Sequence, residues 1–538
     1  MRTKRGLKTT MLVLLCVVLA RGWSPTWART IYVDDDAPPP GDGSSWATAF
    51  RYLKDAMVAT SAGDEIRVAQ GLYRPDQAYQ AVEGNRRATF LLDDGVAILG
   101  GFAGVGAADP DLRDPDRFAT ILSGDLAGDD DTGDPLARFN NSYHVVMAPE
   151  VGSGTVLDGL TICHAYTADH HGGGMYNGGG SPLLRHCTFR DNLASDGDAG
   201  VYNDQGNLRI EYCRFLRNSG EDSGALCNHQ GSVVVIASEF IENYSSESAA
   251  GVYNEEDDMV LFGCLFRGNR SDDGAAAVSN RGDLRLLHCT FIDNDGGDSV
   301  GAMQCKRGHA VIANCLFVGN TGEDIGAISV QDASASLHHC MFYGNVATDG
   351  GPGAVNCRSP FWTTVSSVLA GECIFWGNRG LGDDPDDPPM VGYTAQIGGD
   401  PNRITIEYSC IEGWTPERGG AGNIGDDPLF VAPEEGDFHL KSQAGHWDSV
   451  LQAWVADDVT SPCIDAGDPL IAVEHELFPN GGIVNMGAYG GTCEASKSWF
   501  GTEPCPTIEG ADLNGDGKVD AEDYRLIALR WFRPELSE

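Results

Sequence analysis

Cys264-Leu265-Phe266-Arg267-Gly268-Asn269 is followed 25 residues later by Cys289-Thr290-Phe291-Ile292-Asp293-Asn294, and the spacing Cys-x-Phe-x-x-Asn recurs through the middle of the chain. Further copies begin at Cys187, Cys213, Cys315, Cys340 and Cys373. Ser238, Phe240 and Asn243 form a copy with serine in the cysteine slot, and Ile162 fills the phenylalanine slot of a degenerate earlier one. The step alternates between 25 and 26 residues until Cys340 and then lengthens to 33. A second motif keeps the same phase: Gly173-Gly174-Met175-Tyr176-Asn177, Ala199-Gly200-Val201-Tyr202-Asn203, Ala250-Gly251-Val252-Tyr253-Asn254 and the shorter Gly326-Ala327-Ile328. A fixed period of this length marks a solenoid, because one such unit cannot bury its own apolar face.

Within each unit apolar residues alternate with polar ones, which is strand patterning. Leu208 and Ile210 precede Cys213 and Phe215, and Leu284 and Leu286 precede Cys289 and Phe291. The phase slips by one residue between the two pairs, as a bend joining two short strands requires. Short strands separated by glycine turns leave no room for a helix. Stacking the units about 4.8 Å apart lets each hydrogen-bond to the next. The expected fold is all-β: a parallel β-helix over residues 151–430, with Cys and Phe stacked in inward-facing rows.

The paired motifs resemble the chlamydial polymorphic outer-membrane protein repeat, marked by a Gly-Gly-Ala-aliphatic segment and Phe-x-x-Asn. They also resemble secreted β-helix proteins related in fold to pectate lyases. That likeness implies a right-handed solenoid with capped ends. Ile31-Tyr32-Val33-Asp34, followed by Phe50, Leu53 and Met57, resembles the N-terminal cap, placed at 29–150. Asp437-Phe438-His439-Leu440, Ser461 to Gly467 and Met486-Gly487-Ala488-Tyr489 resemble the closing segment, placed at 431–505.

Residues 1–28 read as an export signal. Arg2, Lys4, Arg5 and Lys8 precede the apolar run Met11–Ala20, and Thr26-Trp27-Ala28 is a small-residue cleavage site. Ten apolar residues are too few to span a bilayer, and no later run is long enough. The protein is expected to be secreted or held at the cell surface, with no transmembrane segment in the mature chain. The net charge of −42 repels nucleic acid, whose binding rests on neutralising phosphates. A 42% hydrophobic content argues for a packed core rather than disorder.

Several residue types stand out. Stacked cysteines point in parallel, which suits reduced thiols in a core better than disulfides; Cys493 and Cys505 lie outside the stack and are the better candidates for a bridge. The asparagine row can donate and accept along the stack, and asparagine tolerates a left-handed turn. His186, His288 and His339 lie too many coils apart to share a metal, and His170-His171 is an isolated loop pair. An acid follows each turn asparagine up to Asn345 by four residues: Asp196, Asp222, Glu247, Asp273, Asp298, Asp324 and Asp349, with Asp169 in the degenerate copy; Gly382 breaks the row in the last one. Carboxylates stacked at this spacing repel by about 0.9 kcal/mol per pair even in water. Either each caps a turn and stays hydrated, or calcium ions sit between coils. Outward positions become apolar in the later coils, at Leu316, Met341, Ile374, Ile292, Val318, Tyr343 and Trp376. Such a patch is covered or used: cover by the closing segment is expected, and the alternative is a glycan or partner surface carrying Tyr343 and Trp376.

The C-terminal module, 506–538, carries Asp512-Leu-Asn514-Gly-Asp516-Gly517-Lys518-Val-Asp520-Ala521-Glu522-Asp523. Asp512, Asn514 and Asp516 occupy positions 1, 3 and 5 of an EF-hand-type loop, Gly517 the sharp turn at 6, and the Lys518 carbonyl position 7. Asp520 stands at 9 and Asp523 at 12, so the expected cofactor is Ca2+. Tyr524, Ile527 and Trp531 follow at helical spacing. Aspartate at position 12 resembles dockerin modules, which implies a cohesin-like docking partner. Dockerins carry two such loops and this chain has one, with Ala521-Glu522 where many carry small hydroxyl residues, so the likeness transfers calcium more firmly than docking.

The fold family includes pectate lyases and polygalacturonases, but fold alone assigns no activity. Neither a Gly-His-Gly nor an Arg-x-Lys element occurs in the mature chain, and Arg190, Arg214 and Arg267 are scattered. Two functions remain: a surface protein that binds polysaccharide or partners along its helix, or a polysaccharide lyase or glycoside hydrolase with a divergent site. One groove in which a base faces two or three acids would favour the second.

Overall fold

The computed structural model describes residues 28–498, apart from 39, 80, 82, 133, 135, 359–365, 383–389 and 474. The export signal, Cys505 and the calcium loop at 512–523 lie outside the described residues. Successive coils stack as parallel strands. Val252–Asn254 pairs with Val278–Asn280, Asp258–Phe262 with Asp283–Leu287, and Leu265–Arg267 with Thr290–Ile292. The strand that carries the phenylalanines belongs to a 12-stranded sheet in which Phe240, Phe266 and Phe291 are direct partners. Their rings lie 4.7 and 4.8 Å apart and nearly parallel, fully buried. The chain is a parallel β-helix.

The motif residues owe their spacing to two left-handed bends in each coil. One falls immediately before the cysteine slot, at His186 (φ 49°), Tyr212 (φ 52°) and Ala237 (φ 46°); the other immediately before the asparagine, at Arg217 (φ 49°), Glu242 (φ 53°) and Asp293 (φ 52°). The left-handed residue is therefore the neighbour of the asparagine, which keeps its own side chain turned inward. After each bend the next N–H points into the coil, away from any backbone carbonyl, and a side chain of the following coil receives it. Asn218 N donates to Asn243 Oδ1 at 3.0 Å and Asn243 N to Asn269 Oδ1 at 3.1 Å. At the other bend Cys213 N donates to Ser238 Oγ at 3.0 Å and Cys289 N to Cys315 Sγ at 3.4 Å. The row cysteines are buried free thiols, and they do more than fill space: the carbonyls of Leu261 and Leu287 each lie 3.4 Å from Cys289 Sγ and share its one S–H. Serine substitutes at 238 because it makes the same bonds, with Ser238 Oγ donating to Ile236 O at 2.9 Å.

The ends differ from the stack. Helix Leu53–Val58 buries Leu53, Ala56 and Met57 at the N-terminal end. In the closing segment the strand pairs turn antiparallel, Phe430–Ala432 with Asp437–Leu440 and His446–Asp448 with Ala453–Val455. This segment covers the late apolar patch. Met341 and Ile374 cluster with Phe430, Phe438, Leu440 and Met486, and Leu316, Val318, Tyr343 and Trp376 pack against them. Tyr343 meets the rings of Phe430 and Phe438 at 5.8 and 5.2 Å.

Candidate functional site: a polar groove on the early coils

The Gly-Ala segment of each coil is a bend, and outward-facing rows run along both of its sides. Before the bend, Asp198, Ser223, Ala249 and Ala275 bridge in register from coil to coil. After it come Tyr176, Tyr202, Cys227 and Tyr253. Ala249 packs with Tyr202, Cys227 and Tyr253, so the two sides meet across the bend.

Only the first coils place chemistry there. His171 Nδ1 lies 2.8 Å from Asp198 Oδ2, and the imidazole stacks on Tyr202 at 4.7 Å. The Asp198 side chain is 2% exposed and that of His171 45%. Asp222, one coil on, completes a group in which His171, Asp198 and Asp222 each offer a ligand atom within 4.8 Å of the others. Asp198 Oδ1 and the fully buried Ser223 Oγ, on the next residue of the row, lack hydrogen-bond partners, as does Asn177 Oδ1 beside Tyr176. Burial pushes the Asp198 carboxyl above its ordinary value although His171 opposes the shift, and the hydrogen bond to Asp198 raises His171. The imidazolium therefore persists to higher pH than in a free histidine. Burial also raises Asp222, helped by the negative charges of Glu255 and Asp196 and opposed by His171 and Arg281. The Cys227 thiol beside Asp198 is held well above its usual range, by burial first and then by that carboxylate.

Two residues past the tyrosine row, the outward side chains change sign along the groove. Asp204 accepts from Tyr176 Oη at 2.8 Å. His229 pairs with Glu255, Arg281 lies over the Tyr253 ring at 5.4 Å, and Lys306 follows, pushed down by burial and by Arg281. A base thus stands opposite the acids of the neighbouring coils. The arrangement can hold a cation at its acidic end, bind an anionic group at Arg281, and move a proton through the exposed edge of His171.

The structure joins only one of the expected acids to this site. Asp222 is partly buried there, while Asp196, Glu247, Asp273, Asp298, Asp324 and Asp349 stay exposed in the turns. Within those turns the acids crowd: the Asp196 carboxylate is the first cause raising Glu221, and Asp298 that raising Glu323. Tyr343 and Trp376 sit far along the stack, under the closing segment. Sequence reasoning passed over His171, Asp198, Glu255 and Arg281. His171 read as a loop residue, and Asp198 as one more acid in an aspartate-rich turn. The available signal was phase, since Asp198 stands two residues before Gly200, in the slot that later coils fill with Ser223, Ala249 and Ala275.

Comparison with known proteins adds three findings. The family described as Disaggregatase related matches residues 408–467, from the last coil into the closing segment. A search of curated proteins returns no match. Among solved structures the chain is similar to pectate lyase Pel9A, with 14% identity, a TM-score of 0.36, and coverage of 86% of this chain and 96% of that one. It is also similar to a rhamnogalacturonan lyase, with 13% identity, a TM-score of 0.38, and coverage of 81% and 96%. Among the described residues no helix is long and apolar enough to cross a membrane.

Proposed function

We propose that this is an exported extracellular or cell-surface β-helix protein that binds polysaccharide in the groove between Asp198 and Arg281, with a calcium-loaded C-terminal loop that attaches it to a cohesin-like or other surface partner. The observation that carries the reading is the groove itself. It brings buried, unpartnered polar atoms, Asp198 Oδ1 and Ser223 Oγ, beside a row of tyrosines and a reversal of charge. Unsatisfied polar atoms beside tyrosine rings and charged side chains are placed for a ligand rich in hydroxyls. Calcium belongs to the proposal in two places, the loop from Asp512 to Asp523 and the exposed acid row, where the crowded Glu221 and Glu323 support a cation between coils.

One observation favours a second reading, a polysaccharide lyase or hydrolase. Against the rise that burial gives Asp222, the Arg281 charge lowers it slightly, and the guanidinium lies over the Tyr253 ring, which puts a basic residue in reach of the acidic end; His171 with Asp198 supplies a proton-transfer pair. Incubating the protein with neutral and acidic polysaccharides, with calcium or with chelator, separates the readings. Retention without product supports binding. Unsaturated products detected by ultraviolet absorbance, or new reducing ends, support catalysis, and Arg281→Ala should then reduce their formation at least tenfold. No retention and no product across the panel would overturn both.

A further inference from the structure

We propose a calcium site in the N-terminal part of the molecule, formed by Asp125, Asp129, Asp130 and Asn141, with Asn140 and Ser142 beside them, at a place distinct from both the groove and the C-terminal loop. Each of the three aspartates offers a carboxylate oxygen, and these oxygens lie within 4.8 Å of one another. A group of acids alone is common on protein surfaces. What distinguishes this one is the set of oxygens around it that no hydrogen reaches: Asp130 Oδ1, Asn140 Oδ1, Asn141 Oδ1 and Ser142 Oγ are buried and unpartnered. Asn141 and Ser142 are fully buried, at 0% exposure. A buried acceptor without a partner is costly, and the Asn140 and Asn141 amide oxygens stand one side-chain flip from the carboxylates.

The asparagines are aimed at the carboxylates. Asn141 Nδ2 donates to Asp130 Oδ2 at 2.9 Å, and Asn140 Nδ2 reaches both oxygens of Asp129, at 3.1 and 3.0 Å. Half a turn of either amide exchanges its nitrogen for its oxygen, which would present an acceptor to a cation held between the carboxylates. The nearby guanidinium groups are committed to backbone: Arg74 Nε donates to the Asp125 carbonyl at 2.7 Å and Arg86 Nε to the Asn141 carbonyl at 2.6 Å. His164 and Arg138 act on Asp130 only weakly compared with its burial and its Asn141 bond. The donors are all oxygens, from carboxylate, amide and hydroxyl, the set that a hard divalent cation takes. Calcium tolerates irregular geometry with six to eight ligands, whereas magnesium demands a tighter octahedron.

A cation here would close the loop between strands Thr120–Ser123 and Val146–Pro149. The residues just beyond it brace the groove. Tyr143 packs on His170 at 5.5 Å, and His144 Nδ1 lies 3.0 Å from the Gly172 carbonyl oxygen, so the segment carrying His171 rests on this loop.

The test counts calcium ions bound by the full chain after treatment with chelator, by calorimetry and equilibrium dialysis. Asp129→Asn combined with Asp130→Asn should bind one ion fewer than wild type. Asp516→Ala should lose a different ion, and the two losses should add. Asn141→Ala removes no charge, so it should keep the wild-type circular dichroism in chelator while weakening one calcium site at least tenfold; this reads the site even if the double variant fails to fold. A double variant or an Asn141→Ala protein that binds as many ions, as tightly, as wild type would overturn the proposal.

Discussion

The asparagine ladder and the groove around Asp198 are both rows of buried polar side chains repeated from coil to coil, and they treat hydrogen bonding in opposite ways. Along the ladder every bond is made: Asn269 Nδ2 donates to Asn294 Oδ1 at 2.9 Å and to Phe240 O at 2.9 Å, while its own Oδ1 accepts both Asn243 N and Asn243 Nδ2. In the groove, one coil's width of polar atoms is left short, at Asp198 Oδ1 and Ser223 Oγ. Further along the same row, Ala249 and Ala275 carry no polar side chain at all. The ladder's buried polar groups are satisfied by the fold itself, whereas the pair left short at Asp198 and Ser223 is open to a ligand.

The largest effect should come from cutting the ladder. Asn269→Ala strands the Asn243 N–H, whose acceptor is Asn269 Oδ1, and takes one of two bonds from Asn243 Nδ2 and from Asn294 Oδ1, at a fully buried position, at a cost of about 1–3 kcal/mol for the unsatisfied group. Denaturant melts should show a loss of about 2 kcal/mol or more. A loss below about 1 kcal/mol would mean that the ladder is incidental.

Glu476 in the closing segment extends the comparison to a third region. Its Oε1 accepts Asn485 N at 2.7 Å and Gly491 N at 2.8 Å, its Oε2 has no partner, and burial pushes the carboxyl up to about 7. Because the folded value lies above the ordinary 4.5, the folded state keeps a proton that the unfolded chain releases. The stabilisation is full below about pH 4.5 and is lost as pH rises through about 7. The loss amounts to at most about 3 kcal/mol. Glu476→Gln should remove this slope, so that melting temperatures of the two proteins converge in acid and the variant is the more stable above pH 7. Parallel curves would assign the pH dependence elsewhere.

A smaller effect is expected in the thiol row. Cys264→Ser keeps a donor to a backbone carbonyl and an acceptor for the preceding coil, as Ser238 does, so the change should cost less than about 1.5 kcal/mol. Cys264→Ala leaves the buried N–H unanswered and should cost more. The reverse order, in thermal melts, would return the row to simple apolar packing.

Much of the scaffold was legible because each inward residue repeats every 25 or 26 positions, and stacking turns a repeat directly into a contact. Phe266 lies between Phe240 and Phe291 as the phase requires, and the apolar patch at Met341 and Ile374 is covered by the closing segment. The bends were less legible. Glycine marks the left-handed slots at Gly263, Gly268, Gly319, Gly344 and Gly377, but Arg217, Glu242 and His186 fill the same slots without that mark, their cost offset by a side chain in the next coil. That hidden partnership also disguised the cysteines as plain core residues. The groove was least legible. His171 and Asp198 stand 27 residues apart, and their meeting depends on how a loop folds over one bend, which no period records. The burial of Asp198 beside the exposed Asp196 follows from the same bend.

The central claim is that the fold does not need the polar atoms of the groove, and it is tested most directly by Asp198→Asn. The substitution removes a buried charge, keeps the shape, and leaves as its partner a histidine whose side chain is 45% exposed and free to shed its proton to water. Denaturant melts at pH 7 should place the variant within about 0.5 kcal/mol of wild type or above it, while retention of polysaccharide falls at least tenfold. A variant destabilised as much as Asn269→Ala, with retention unchanged, would contradict the account and make Asp198 one more member of the scaffold.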